Sequence, residues 1–72
     1  MNDNEVLFIK AHLTAIHHSS LLLLSDIDDV LQEKEGSYEQ KVVLIKMSSL
    51  LEELKHSYCS AAKHVDKYVD GV

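Results

Sequence analysis

The chain has 72 residues, one cysteine and a formal net charge of −5, from 12 acidic residues and 7 basic ones, none of them arginine. This size allows one domain with a small core, so a partner chain or a metal is expected to add stability. A single cysteine excludes a disulfide within the monomer, and the absence of a cationic cluster argues against binding to nucleic acid or to an anionic membrane surface.

The first predicted element is a long amphipathic helix from about residue 3 to about residue 34. Asn2 and Glu5 have the spacing of a capping box at its start. Apolar residues then recur at heptad spacing, with one polar interruption at Ser20. This predicted seam consists of Val6, Ile9, Leu13, Ile16, Leu23, Ile27 and Val30.

A turn is predicted over residues 35–37, because Gly36 can adopt the left-handed conformation that closes a helix. Ser37 is the expected cap of a second helix, and Gln40 is its capping-box partner. This helix is predicted from about residue 38 to about residue 68. Its seam reads Leu44, Met47, Leu51, Leu54, Tyr58, Ala61, Val65 and Tyr68. The short connection predicts an all-α fold, in which two long antiparallel helices form one helical-hairpin domain over residues 1–72.

The sequence holds more apolar residues than these two seams require. The surplus residues are Leu7, Phe8, Leu21, Leu22, Leu24, Leu31, Val42, Val43, Ile45 and Leu50. Because an apolar helix surface in water marks an interaction site or an aggregation hazard, these ten residues are the predicted partner-binding set. The expected partner is either another helical protein chain or a second copy of this chain, and either one would complete a helical bundle.

No catalytic, cofactor or metal site is predicted. His56 and Cys59, together with His12 from the other helix, would offer zinc three ligands, whereas structural zinc sites normally have four. The acidic cluster at residues 26–29 lacks the glycine and the distal glutamate of a calcium loop, so we expect it to be a solvated face. A slender hairpin also offers no cleft for a substrate, so we expect no enzyme activity.

The cytoplasm is the expected location. The longest uninterrupted apolar runs, residues 6–9 and 21–24, fall far short of the roughly 20 residues that a membrane-spanning helix needs. The first five residues are acidic, whereas a signal peptide begins with basic residues. The sequence therefore predicts neither a targeting signal nor a membrane span.

One stretch of the sequence resembles a known family. The run Gly36-Ser37-Tyr38-Glu39-Gln40, followed by Leu44, Leu50-Leu51, Leu54 and Ala61-Ala62, resembles the small E components of bacterial type III secretion systems. The resemblance implies a cytoplasmic co-chaperone that pairs with a second, helical chaperone and prevents premature polymerisation of the needle subunit. The alternative hypothesis is a homodimeric four-helix-bundle regulator of the kind that phages and plasmids encode.

Overall fold

The computed structural model describes residues 1–70 and contains two helices, α1 (Asp3–Gln32) and α2 (Tyr38–Asp70). The helices pack against each other along a hairpin that measures 52 × 18 × 13 Å. Bonds between the helices join the start of α1 to the end of α2, and the end of α1 to the start of α2, so the helices are antiparallel. The predicted all-α hairpin is confirmed. The first helix ends two residues earlier than predicted, and the second extends two residues further.

The start of α1 is capped as predicted, but only in part. The Asn2 side-chain oxygen accepts a hydrogen bond from the backbone N–H of Glu5 at 2.9 Å. The Glu5 carboxylate does not complete a capping box. It instead accepts a hydrogen bond from the Tyr68 hydroxyl, which belongs to the last turn of α2. Glu5, which is predicted from the sequence to cap its own helix, therefore connects the start of α1 to the last turn of α2.

The turn between the helices is held by Gln40. Its backbone N–H donates to Ser37 Oγ at 3.1 Å, which confirms the predicted cap of α2. Its side-chain oxygen accepts from the backbone N–H of Gly36 at 2.9 Å, and its Nε2 donates to the Val30 carbonyl at 3.3 Å. Gly36 has a φ of 76°, a backbone conformation that glycine adopts without the steric cost other residues incur. One glutamine thus binds the new helix to the turn and to the end of α1.

The contact between the helices is rotated by about one residue from the predicted seams. The side chains at least half-buried between α1 and α2 recur at alternating steps of three and four. On α1 they are Glu5, Ile9, His12, Ile16, Ser19, Leu23, Asp26 and Val30, and on α2 they are Gln40, Val43, Met47, Leu50, Leu54, Ser57, Ala61, His64 and Tyr68. We call this set the seam. Ser20, Ser60 and Ala62 are also partly buried and lie beside this series. Every second predicted seam residue is instead exposed or lies at the edge, because each apolar stripe is wider than the contact that uses it.

Within residues 1–70, Ala61 is the only buried apolar residue, and Ser19 and Asp26 are the buried polar ones. Asp26 is 2% exposed and accepts a bond from Lys46 Nζ at 3.0 Å. The prediction that the acidic cluster forms a solvated face is therefore wrong for Asp26. Its other oxygen, Oδ2, is buried without a hydrogen-bond partner in the described part of the chain. The seam thus contains a charge with only part of its hydrogen-bonding capacity satisfied.

Replacing either member of this ion pair is expected to have opposite effects on stability. Asp26→Leu removes a buried carboxylate and adds apolar packing, so it should raise the unfolding free energy by about 1–2 kcal/mol. Lys46→Met leaves that carboxylate without its counter-charge and should lower the unfolding free energy by a similar ~1–2 kcal/mol, a modest figure because Lys46 is largely exposed. Thermal unfolding at equal chain concentration measures both changes. If both variants melt at lower temperature, the pair stabilises the fold beyond its desolvation cost.

Candidate protein-binding face

The rotation of the helices leaves one broad side of the hairpin apolar and uncovered. On α1 this side carries Val6, Leu13, Ser20, Leu24, Ile27 and Leu31, and on α2 it carries Leu44, Leu51, Tyr58 and Val65. We call these ten residues the open face. Steps of seven residues return to nearly the same side of a helix, and Leu24 and Leu31 each lie four residues beyond another member, so they share its side.

The members of the open face are substantially exposed, apart from Ser20 at its centre. The apolar ones range from 41% exposed for Val65 to 78% for Leu31. Near the chain ends, Leu13, Tyr58 and Val65 border an apolar depression of about 300 Å³, with Ile9, Ile16 and Ala61 among its lining residues. Contributions from both helices to one depression place the two apolar stripes on a common side. The result is a groove between two ridges in this half of the hairpin, open to solvent.

The opposite side of the hairpin is polar. A shallow groove of about 490 Å³ there is lined by Ala15, Ser19, Glu52, Glu53, His56 and Ser57. Lys46, which pairs with Asp26, lies seven residues from Glu53 and therefore on the same side of α2. The hairpin is therefore amphipathic as a whole, with one apolar broad side and one polar one.

The ten predicted partner-binding residues occupy four different places. Leu24 and Leu31 belong to the open face. Leu7, Leu21 and Ile45 point away from the seam on the outer sides of the helices, whereas Phe8, Leu22 and Val42 lie toward the polar side. Val43 and Leu50 are half-buried in the seam. Their assignment as surplus to the hairpin is corrected, because the helix rotation brings them against α1.

Seven apolar members of the open face were assigned by the sequence to the contact between the helices. They are Val6, Leu13, Ile27, Leu44, Leu51, Tyr58 and Val65. The sequence gives no signal for this rotation. The heptad series Glu5, His12, Ser19 and Asp26 lies one residue before Val6, Leu13, Ser20 and Ile27, and a series that is polar throughout is ordinarily expected to face solvent.

Polar and aromatic side chains pack together where the start of α1 meets the end of α2. The Phe8 ring packs edge-on against His12 at 4.4 Å between centroids and against His64 of α2 at 4.6 Å. One turn away, the hydrogen bond from Tyr68 lowers the pKa of the Glu5 carboxyl below its ordinary value, and the same bond raises the pKa of the Tyr68 hydroxyl. Phe8 is thus engaged within the hairpin, although it remains 45% exposed.

The candidate metal ligands do not come together. His56 and Cys59 line a small depression with Glu52 and Lys55 on the outer side of α2, whereas His12 is half-buried in the seam. Among residues 1–70, no group of three or more histidine, cysteine or acidic side chains is placed to hold a metal ion. The structure therefore does not assemble the three-ligand arrangement considered from the sequence.

The length and composition of α1 satisfy the minimum for crossing a bilayer, although its polar residues divide the apolar runs. Core helices of soluble proteins and signal sequences satisfy the same minimum of length and apolar composition. The prediction that no segment spans a membrane therefore stays a prediction. Most apolar side chains of α1 are exposed in the hairpin, so the function depends on what covers them.

Comparison with known proteins gives no assignment: no protein-family model, curated protein or solved structure matches the chain. The function is therefore inferred from the geometry and composition of the two broad sides of the hairpin.

The bond between Glu5 and Tyr68 predicts a defined pH window of added stability. Because the folded state lowers the pKa of Glu5, the contribution is present above the ordinary value of 4.5 and is lost as pH falls through the folded pKa. Because it raises the pKa of Tyr68, the contribution is present below 10.0 and is lost at higher pH. Tyr68→Phe should therefore lower the urea midpoint at pH 7 and lose this difference near pH 3.

The matched control is Tyr38→Phe, since Tyr38 is exposed, lies outside the open face, and its hydroxyl makes no hydrogen bond to other residues of the range 1–70. Urea unfolding of both variants and of the wild type, at several pH values and one chain concentration, provides the comparison. A Tyr68→Phe difference that is the same at pH 3 and pH 7 would show that the aromatic packing, and not the bond to Glu5, carries the effect.

Proposed function

We propose that this chain is a non-enzymatic protein–protein interaction module that binds a helical partner through the open face. The observation that carries the proposal is that the open face is more apolar than the seam that holds the two helices together. The seam has a polar residue in each heptad of α1, whereas nine of the ten open-face residues are apolar. Charged side chains lie only at the border of this face: Lys10 and Lys55 are each four residues beyond a member, and Asp66 lines the edge of the depression. A soluble protein rarely leaves a continuous surface of this kind without an occupant.

The energetics favour a protein occupant. Burying one leucine or isoleucine side chain contributes about 1.5–3 kcal/mol. Four to six of the exposed side chains would therefore contribute on the order of 10 kcal/mol before the costs of association. The heptad spacing of both ridges matches the way a further helix packs into the groove of a bundle. A helix with apolar anchors at steps of three and four residues is the expected ligand.

Within this class, we propose the role of a small cytoplasmic adaptor or co-chaperone. The support is the resemblance of residues 36–62 to the type III secretion E components, together with a face suited to covering the apolar side of another helix. The alternative is a homodimeric four-helix-bundle regulator, in which two copies cover each other permanently. Both roles use the open face. They differ in whether that face binds another protein or stays permanently bound to a second copy of the chain.

A charge placed in the open face should abolish partner binding. Leu51→Glu introduces a carboxylate at a 52%-exposed position of this face, where burial by a partner would require its desolvation. Leu21→Glu is the matched control, because Leu21 is also 52% exposed but lies on the outer side of α1. We expect wild type and Leu21→Glu to co-purify with a stoichiometric helical protein from native cells, and Leu51→Glu to lose it at least ~100-fold.

Circular dichroism must first show that both variants remain helical. Equal retention of the partner by Leu51→Glu would contradict the proposal, because the open face would then not be the binding surface. Co-sedimentation of the purified chain with neutral lipid vesicles tests the other way of covering this surface. Vesicle binding that Leu51→Glu abolishes, without any protein partner, would replace a protein occupant with a membrane.

A further inference from the structure

We infer that, in the free protein, the open face is covered by a second copy of the chain, stacked so that the turn of each copy lies over the chain ends of the other. This inference rests on the proposed function, because the second copy occupies the surface that a partner would take and must be displaced by it. The arrangement has a two-fold axis that lies in the interface, across the long direction of the hairpins.

The area of the open face suits a dimer. Its nine apolar side chains are about half exposed or more, and at roughly 100 Å² each they offer on the order of 900 Å² per copy, against the ~800 Å² per partner of a standard specific interface. Within the range 1–70, the hairpin alone has one buried apolar residue, Ala61. Stacking two copies would bury a second and larger apolar layer.

The order of side chains along the open face is self-complementary. Lys46 lies beside Asp26 across the seam and Gln40 beside Val30, so Ser20 and Leu51 share one level near the middle of the hairpin. A two-fold axis at that level sets each of these residues against its own copy. It also sets Leu13 against Ile27, and Tyr58 against Leu44, in both directions.

The shape of the face follows the same symmetry. The apolar depression lies in the half near the chain ends, where Ala61 and Ala62 leave space between Leu13 and Tyr58. The half near the turn carries the exposed side chains of Leu24, Ile27 and Leu44. The two-fold axis places these side chains of each copy over the half of the other copy that holds the depression, which makes the contact isologous and closed.

Charge selects this stacking over the alternative in which turn lies on turn. Residues 26–46, which form the turn end of the hairpin, contain six acidic residues and three lysines, so this end carries a formal charge of −3. Residues 1–10 and 60–70, at the other end, contain four acidic residues and three lysines, which gives a formal charge of −1. Turn-on-turn stacking would set two charges of −3 together, whereas turn-over-ends stacking sets each against a charge of −1. Repulsion between like charges therefore disfavours the first arrangement, most strongly at low salt.

Cysteine cross-linking of the intact chain tests the arrangement, in a Cys59→Ser background. Ser20→Cys should form a disulfide with its own copy rapidly in a glutathione buffer, because the two-fold axis passes beside it. Ser25→Cys is the matched control, since Ser25 is an exposed serine of the same helix on its outer side. Turn-on-turn stacking would instead join Ser20→Cys chains to Leu51→Cys chains in a mixture, and that result would overturn the arrangement.

Sedimentation equilibrium of the wild-type chain between about 1 and 500 μM measures self-association directly. We expect a reductant-independent dimer that Leu51→Glu weakens at least ~100-fold and Leu21→Glu leaves intact. A wild-type monomer throughout this range would overturn the inference. Partner retention from cells, measured with the same two variants, is a separate readout, so a monomer that still retains its partner through Leu51 would refute the dimer and leave the proposed function standing.

Discussion

The structure depends on the polar residues that fix how each helix is rotated about its own axis. Asp26 is buried opposite Lys46, and Glu5 accepts the Tyr68 hydroxyl at the other end of the hairpin. Both acidic residues occupy the same heptad position of α1, so together they hold one side of that helix against α2. Once this side faces inward, the apolar residues one position further along must face outward. The open face is therefore a geometric consequence of the seam.

This arrangement separates the interactions that specify the hairpin from those available for association. The ion pair and the hydrogen bonds of Gln40 are directional, so they favour one pairing of the helices over other registers. Apolar side chains provide more free energy on burial but accept many partners. A chain that placed all its apolar residues in the seam would be a more stable monomer with little left for binding. In this chain, about half of the apolar stripe on each helix lies outside the seam and is available for binding.

Local features of the fold were predictable from the sequence, and the rotation of the helices was not. The Asn2 cap, the turn at Gly36 and the Ser37 cap each depend on residues within four positions of one another. The seam depends instead on partners such as Asp26 and Lys46, which are twenty residues apart. Heptad periodicity locates the middle of an apolar stripe but does not show which of its edges is buried. The periodicity therefore predicts seven apolar residues of the open face as core, and Val43 and Leu50 as surface.

The turn held by Gln40 also has a consequence for how the chain folds. The helices meet first at residues 30 and 40, ten positions apart, and last at residues 5 and 68, which are 63 positions apart. Closing a short loop costs less chain entropy than closing a long one. We therefore expect pairing to proceed from the turn toward the termini, because each pair of residues that forms shortens the loop that the next pair must close. The bond between Glu5 and Tyr68 is then expected to form last and open first, so amide protection against hydrogen exchange should decline steadily from the turn to the start of α1 and the end of α2.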